Sequence, residues 1–232
     1  MRRLRWALRR ALFPKYCFLC HRAILPHQRY CGECAINAPW IEPPLCERCG
    51  RGQTRCTCKG HRRHFERCIS PFYYQGMVKR GVRTLKSADY AVTVDAFTAE
   101  MEELVRREYG GIDFDIVTSV PLHPADRRHR GFDQAARLGV SLASRLEIPY
   151  AAILRKLYRT RPQKELPSVQ RSGNLLGVFD VTLPIVDKRV LLVDDLITTG
   201  ATLDECAKML KLFGAAEVYA VTAAAAVLQK DE

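Results

Sequence analysis

An α/β domain built on a parallel sheet flanked by helices, preceded by a small cysteine-rich metal-binding domain, is the fold class the sequence predicts. Three observations point there. Nine of the ten cysteines fall in the first 68 residues. After Phe72, strand-like and helix-like patterns alternate, as in parallel-sheet domains. A short apolar strand, Arg189–Val193, runs into two adjacent acids and a Thr/Gly loop that opens a helix, an arrangement typical of ligand sites at strand ends.

The chain has 232 residues, 47% hydrophobic and 27% charged, which supports a buried core and excludes a disordered chain. No uninterrupted apolar run reaches the ~18–20 residues of a membrane span. The net charge of +12 is concentrated at the front. Residues 1–68 hold 15 Lys/Arg and 4 Asp/Glu, against 22 and 21 in the remainder. Residues 1–16 read as a basic amphipathic helix, with Leu4, Leu8, Ala11 and Leu12 at helical spacing and Pro14 as a stop. Arginines interrupt what a secretory signal would need as an apolar stretch, so a cytoplasmic location is expected. Such a helix serves either to pack on its own domain or as an arm for nucleic acid or a membrane surface.

Residues 17–68 read as the metal-binding domain. The cysteines come in four close pairs: Cys17 and Cys20, Cys31 and Cys34, Cys46 and Cys49, Cys56 and Cys58. Two cysteines two residues apart can turn both thiolates to one ion, and two such knuckles complete a tetrahedral four-thiolate zinc site. The block has few large aliphatic residues and needs a staple to fold. Consecutive pairing is the simplest assignment and gives two ions; the spacing also permits an interleaved pairing. Disulfides would need an oxidising compartment, for which no export signal speaks. Closed four-cysteine sites are structural, so catalysis at this zinc is not expected. Eight thiolates binding two Zn²⁺ would lower the local charge of the first 68 residues to about +7. His21, His27, His61 and His64 are surplus to these sites, and Cys68 and Cys206 read as small buried residues.

Residues 69–232 read as the α/β domain. Thr93–Tyr109 is a predicted helix with Phe97, Met101, Leu104 and Val105 on one face, closed by Gly110 and Gly111. Ile116–Pro121 is a strand, followed by a polar, arginine-rich turn and a helix over Ala135–Leu146. Arg189–Val193 is a buried strand, Thr202–Phe213 a helix with Leu203, Cys206, Leu210 and Phe213 in register, Gly214 its stop, and Glu217–Ala225 a further strand.

Chemistry concentrates in the segment from Asp194 to Thr202. Gly200 lets the backbone close around an anion, and the N–H groups at the helix start carry the positive end of its dipole. Thr198, Thr199 and Thr202 add hydroxyls beside Gly200 and Ala201. The loop is expected to hold a phosphate. Asp194 and Asp195 can accept hydrogen bonds from vicinal hydroxyls, so the pattern suits a ribose 5-phosphate. No Gly-Lys-Ser/Thr follows, which excludes a Walker loop, and no dinucleotide fingerprint is present. Arg127, Arg128 and Arg130 leave a strand end of the same sheet and suit a pyrophosphate, whose oxygens arginine contacts bidentately.

Val190–Thr202 resembles the phosphoribosyl-pyrophosphate (PRPP) motif of type I phosphoribosyltransferases. The whole chain resembles the ComF (ComFC/GntX) family, in which a cysteine-rich zinc domain precedes such a domain. The cysteine block, the segment from Ser119 to Gln134 and the segment from Arg161 to Phe179 carry that resemblance in the family's order. One position departs: Asp133 stands where the family usually reads Asn, and a carboxylate there would repel an anion. Lys86 falls where the family has a recurring lysine.

The resemblance implies a type I phosphoribosyltransferase-like sheet, structural Zn²⁺, and PRPP bound with Mg²⁺. It implies catalytic roles for Asp194, Asp195, Arg127 and Arg130. It further implies a PRPP cradle from Asp194, Asp195, Thr198 to Thr202 and Arg128, and a mobile loop carrying Arg161, Gln163, Arg171 and Asn174. It also implies a link to DNA uptake and natural transformation, with single-stranded DNA and competence-machinery proteins as partners. The alternative on the same fold is a non-catalytic PRPP sensor that binds nucleic acid or acts as an adaptor through the zinc module. Neither the acceptor nor the oligomeric state is written in the residues.

Overall fold

The computed structural model describes residues 15–58, 62–85, 91–158 and 177–228, the side chains of His129 and Arg130 excepted. Its cysteine-rich part begins with an antiparallel pair, β1 (Lys15–Tyr16) and β2 (Ala23–Ile24), followed by α1 (Gly32–Asn37). Lys15 and Tyr16, expected at the end of the basic helix, therefore belong to the first knuckle, where β2 supplies a backbone partner. Residues 1–14 lie outside the described residues. A 3₁₀ turn at Gln53–Arg55 follows the third cysteine pair.

The edge of the main sheet comes next, as β3 (Cys68–Ile69) and β4 (Phe72–Tyr73). Both pair in parallel with the last strand, so they are one edge strand interrupted at Ser70 and Pro71. Pro71 has no N–H to give the ladder. The Ser70 and Thr222 hydroxyls meet at 2.6 Å across the gap. The division into 17–68 and 69–232 expected from the sequence runs through this strand.

Two helices follow, α2 (Gly76–Thr84) and α3 (Ala91–Tyr109), then β5 (Ile116–Ser119), α4 (Pro124–Arg130) and α5 (Gln134–Leu146). A short antiparallel pair, β6 (Leu154–Lys156) with β7 (Phe179–Val181), forms a separate ribbon. The chain ends in β8 (Arg189–Ile197), α6 (Ala201–Leu212) and β9 (Glu217–Ala225). The main sheet is parallel throughout, in the order β3-β9-β8-β5, with β4 also on β9.

Successive residues of a strand face opposite sides, and β8 buries both. Leu191 and Val193 enter the core under α3 and α5, with Phe97, Met101, Leu138 and Leu142. Val190 and Leu192 enter the other, under α6, with Leu203, Cys206 and Leu210. Phe213, expected on that same helix face, lies beyond the helix end and is exposed. Cys68 and Cys206 are fully buried, as the sequence suggests.

The cysteine-rich part shares these cores. Phe18 packs edge-on against Phe97 at 4.8 Å between centroids and against Phe72 at 6.3 Å. An aromatic ring buried there stabilises the junction by about 2–3 kcal/mol. On the other side, Leu45 and Phe65 join the core under α6. Gly50 is needed at its position: its φ is +65°, and a Cβ would sit 2.2 Å from the Cys68 carbonyl.

The arginine-rich segment expected as a turn is the helix α4. His123 caps it, with Nδ1 accepting the Ala125 N–H at 3.2 Å, Pro124 opens it, and Gly131 closes it with φ 79°. The strand expected to stop at Val193 continues to Ile197. Its backbone keeps pairing with β9 through Ala225 whatever the side chains carry.

Candidate functional site

The site sits at the C-terminal end of the sheet, where β5 and β8 emerge side by side. Ser119 is in register with Val193, and the Val120 N–H donates to the Val193 carbonyl at 2.9 Å. Asp194 and Asp195 follow directly, part-buried. Burial, and then the negative charge of Asp195, hold the Asp194 carboxyl well above the usual carboxylate range. The Asp195 N–H donates to Asp194 Oδ1 at 2.8 Å and offsets part of that cost. Two acids so placed favour hydrogen-bond donors or a cation.

The loop from Thr198 to Gly200 then leads into α6. Gly200 is buried, adopts φ 84° and serves as the helix N-cap. The Ala201 N–H donates to Thr199 Oγ1 at 3.4 Å, a local turn contact. Thr202 lies in the first turn of α6, so the expected loop, helix start and hydroxyls are brought together.

On the facing element, α4 leaves the end of β5. Arg127 and Arg128 are exposed on it; the side chain of Arg130 lies outside the described residues. Arg127 and Asp133 both act electrostatically on Tyr150, whose hydroxyl lies 2.9 Å from Ser119 Oγ and which burial pushes up. After burial and Asp195, the negative charge of Asp133 adds a smaller contribution to raising Asp194. Asp133 has a structural reason to be there. Oδ1 accepts the Ala136 N–H at 3.1 Å, capping α5, and Oδ2 accepts the Leu122 N–H at 2.9 Å. Gln134 is buried beside it, its Nε2 without a hydrogen-bond partner among the described residues.

Arg161, Gln163, Arg171 and Asn174 lie outside the described residues, as do Lys86 and His61. The described residues on either side of 159–176 pair with each other: β6 pairs with β7, and the Leu157 N–H donates to the Val178 carbonyl at 2.8 Å.

The thiolates settle the cysteine pairing. Cys17, Cys20, Cys31 and Cys34 form one cluster and Cys46, Cys49, Cys56 and Cys58 the other, their sulfurs within 4.8 Å of one another. The consecutive assignment holds, and the interleaved one does not. Cys20 and Cys31 sulfurs are 3.6 Å apart, Cys49 and Cys56 sulfurs 3.7 Å. The edge of a tetrahedron around zinc with bonds of ~2.3 Å is about 3.8 Å, so both clusters fit the metal. Each is built on a knuckle turn: the Cys17 N–H donates to the Arg22 carbonyl at 2.8 Å, the Cys46 N–H to the Arg51 carbonyl at 2.7 Å. Among the described residues no histidine joins these clusters. His21 contacts Thr84, and His64 contacts Asp204.

Sequence reasoning missed two residues of the cysteine-rich part that reach the Thr/Gly loop. Arg51 is almost fully buried; its Nη2 donates to the Thr198 carbonyl at 2.6 Å and the Ile197 carbonyl at 3.3 Å, and Nε donates to the Ala226 carbonyl at 2.9 Å. Arg63 Nη2 donates to the Thr199 carbonyl at 2.8 Å, while Nη1 lies 3.6 Å from Asp204 in the first turn of α6. These contacts span more than 130 residues of sequence, and no local pattern announces them.

Comparison with known proteins agrees with this architecture. Residues 8–69 match a double zinc ribbon domain and residues 133–231 a phosphoribosyl transferase domain. Over 206 residues, 87% of the chain, it is 29% identical to the DNA utilization protein YhgH of Salmonella typhimurium, covering 86% of that protein. It is 26% identical over 198 residues to the competence protein ComFC of Bacillus subtilis, covering 80% of this chain and 79% of that one. With the competence protein F of Haemophilus influenzae it shares 34% identity over 108 residues, 45% of this chain and 47% of the relative. Among solved structures, the glutamine PRPP amidotransferase of B. subtilis aligns with 60% of the chain at a TM-score of 0.40 and 23% identity; the aligned part is 30% of that longer protein.

Proposed function

Because the chain belongs to the ComF family, which joins a double zinc ribbon to a phosphoribosyltransferase domain, we propose that it binds PRPP with Mg²⁺ and transfers the phosphoribosyl group to an acceptor. One observation carries this reading: an acid pair, a positive-φ glycine and a helix N-terminus follow one another at the end of a central parallel strand. In this reading the N–H groups and hydroxyls of Thr198–Thr202 receive the 5-phosphate. Asp194 and Asp195 accept hydrogen bonds from the ribose hydroxyls and stabilise the positive charge that develops on the sugar. Arg127 and Arg128, with Arg130, neutralise the pyrophosphate. The bond from the anomeric carbon to the pyrophosphate oxygen breaks, its electron pair leaves with pyrophosphate, and an acceptor lone pair forms the new bond. Mg²⁺, when bound with PRPP, supplies additional charge neutralisation on the leaving group. Arg161, Gln163, Arg171 and Asn174, outside the described residues, are in this reading the residues that shield the substrate from water.

Relatives of this chain are named for DNA utilisation and competence, and in this reading the chain serves the same context, for which the basic zinc module suits single-stranded DNA as a partner. Competence-machinery proteins are further partners in this reading. Purified protein mixed with PRPP, Mg²⁺ and pooled bases and amines is expected to release pyrophosphate. PRPP binding without release on any acceptor would leave a PRPP sensor in place of an enzyme.

A further inference from the structure

The two ribbon arginines bind the carbonyl side of the Thr/Gly loop, and that has a geometric consequence for its other side. A trans peptide is planar, with C=O and N–H pointing in opposite directions. Arg51 draws the Ile197 and Thr198 carbonyls towards the ribbon, and Arg63 draws the Thr199 carbonyl the same way. The N–H groups of the same three peptides belong to Thr198, Thr199 and Gly200, and they are turned away from the ribbon. Successive N–H groups aimed to one side are how a backbone receives an anion.

Electrostatics point the same way. An acid in the first turn of a helix opposes a bound anion at that helix start. Asp204 is such an acid, and the ribbon side engages it: the His64 N–H donates to Oδ1 at 2.6 Å, and Arg63 stands 3.6 Å from Oδ2. Arg51 has only 2% of its surface exposed and is spent on carbonyls, so it does not itself touch a ligand. Its backbone closes the second zinc knuckle through the Cys46 N–H, which ties the guanidinium to a metal-stapled turn.

We propose that Arg51 and Arg63 are positioning residues: Arg51, anchored on the second zinc knuckle, and Arg63, braced on Asp204, hold the Thr198–Gly200 loop so that its N–H groups converge on the phosphate. This rests on the reading of that loop as the PRPP phosphate seat. The ribbon is then a structural half of the substrate site.

The test compares the full-length protein with Arg63→Met, Arg63→Lys and Arg51→Lys, each checked for zinc content and thermal unfolding. Amide hydrogen exchange of the 196–204 segment without ligand and calorimetric titration with PRPP and Mg²⁺ are the two readouts. Arg63→Met is expected to keep both metal ions, to exchange faster in the loop and to bind PRPP about tenfold more weakly, the cost of one lost charge-assisted hydrogen bond. Arg63→Lys, which retains a donor, is expected to recover part of both effects, a rescue that a merely space-filling role would not give. Unchanged loop exchange and unchanged PRPP affinity in Arg63→Met would overturn the proposal. If Arg51→Lys loses zinc or fails to fold, Arg63→Met decides alone. If the unaltered protein binds no PRPP, the substrate reading falls, and loop exchange by itself decides the arginines: faster exchange upholds the clamp, unchanged exchange removes it.

Discussion

Asp194 Oδ1 accepts the Asp195 N–H at 2.8 Å, so one carboxylate of an adjacent pair is tied to the backbone of the other. That single bond does not balance burial and the neighbouring negative charge, which together raise Asp194. A carboxyl whose folded value lies above its unfolded value favours the native state below the unfolded value. That contribution is lost as pH rises from about 4 through the folded value. Asp194→Asn keeps the acceptor oxygen and removes the charge. It is expected to raise the unfolding midpoint at neutral pH by about 2–4 °C, the shift that ~1 kcal/mol produces in a chain of this size, while PRPP binding falls. A differential scan with a PRPP titration checks both; a lower midpoint would refute the charge argument.

Gly200 provides a second test at the same strand end. Its φ of 84° disfavours any side chain, although a Cβ would meet no atom closer than Ile197 Cδ1 at 3.5 Å. Gly200→Ala is therefore expected to cost about 1–2 kcal/mol through backbone strain, without a steric clash. The same strain should displace the loop and weaken phosphate binding. Denaturant unfolding measures the first effect and calorimetry the second.

Much of this arrangement was legible in the sequence. Cysteine spacing identified two four-thiolate groups, and the apolar residues of β8 and the periodicity of α3 placed the sheet and its cover. The acid pair and Thr/Gly loop stood out because strand end, acids, glycine and helix start are contiguous. What stayed hidden is non-local or weakly patterned. The edge strand from Cys68 to Tyr73 is two short pieces around a proline, too brief for an alternation to show. The α4 helix spans only Pro124–Arg130; Pro124 and Gly131 were its only signals, and its arginines suggested a turn. Arg51 and Arg63 looked like ordinary residues of a basic stretch, since their partners lie on the last third of the chain.

Metal content tests the cysteine assignment. Protein purified without chelator is expected to carry two zinc ions per chain. Cys34→Ser should reduce this to about one and destabilise the protein strongly, because the first knuckle carries Phe18 into the core beside Phe97. Two ions retained in Cys34→Ser would contradict the cluster as drawn.

Glu100 predicts a pH dependence away from the strand end. It is buried on α3, with Arg29 Nη1 at 3.0 Å and Glu103 nearby, and burial pushes its carboxyl up to about 7. The native state therefore loses stability as pH rises from about 4.5 to 7, because ionising this side chain in place is costly. Glu100→Gln should flatten that slope and gain on the order of 1–2 kcal/mol at pH 8, after allowance for Arg29. Chemical denaturation at pH 5, 6.5 and 8 separates the two proteins; equal slopes would remove Glu100 as the cause.

The most direct test of the central claim is calorimetric titration of PRPP with Mg²⁺ into the unaltered protein and into the double variant Asp194→Ala, Asp195→Ala, with circular dichroism confirming that both are folded. One PRPP per chain bound by the unaltered protein, and a loss of at least about tenfold in affinity in the double variant, is the expected result. Equal affinity in the two folded proteins, or no binding by the unaltered one, would contradict the assignment of this strand end as the phosphoribosyl site.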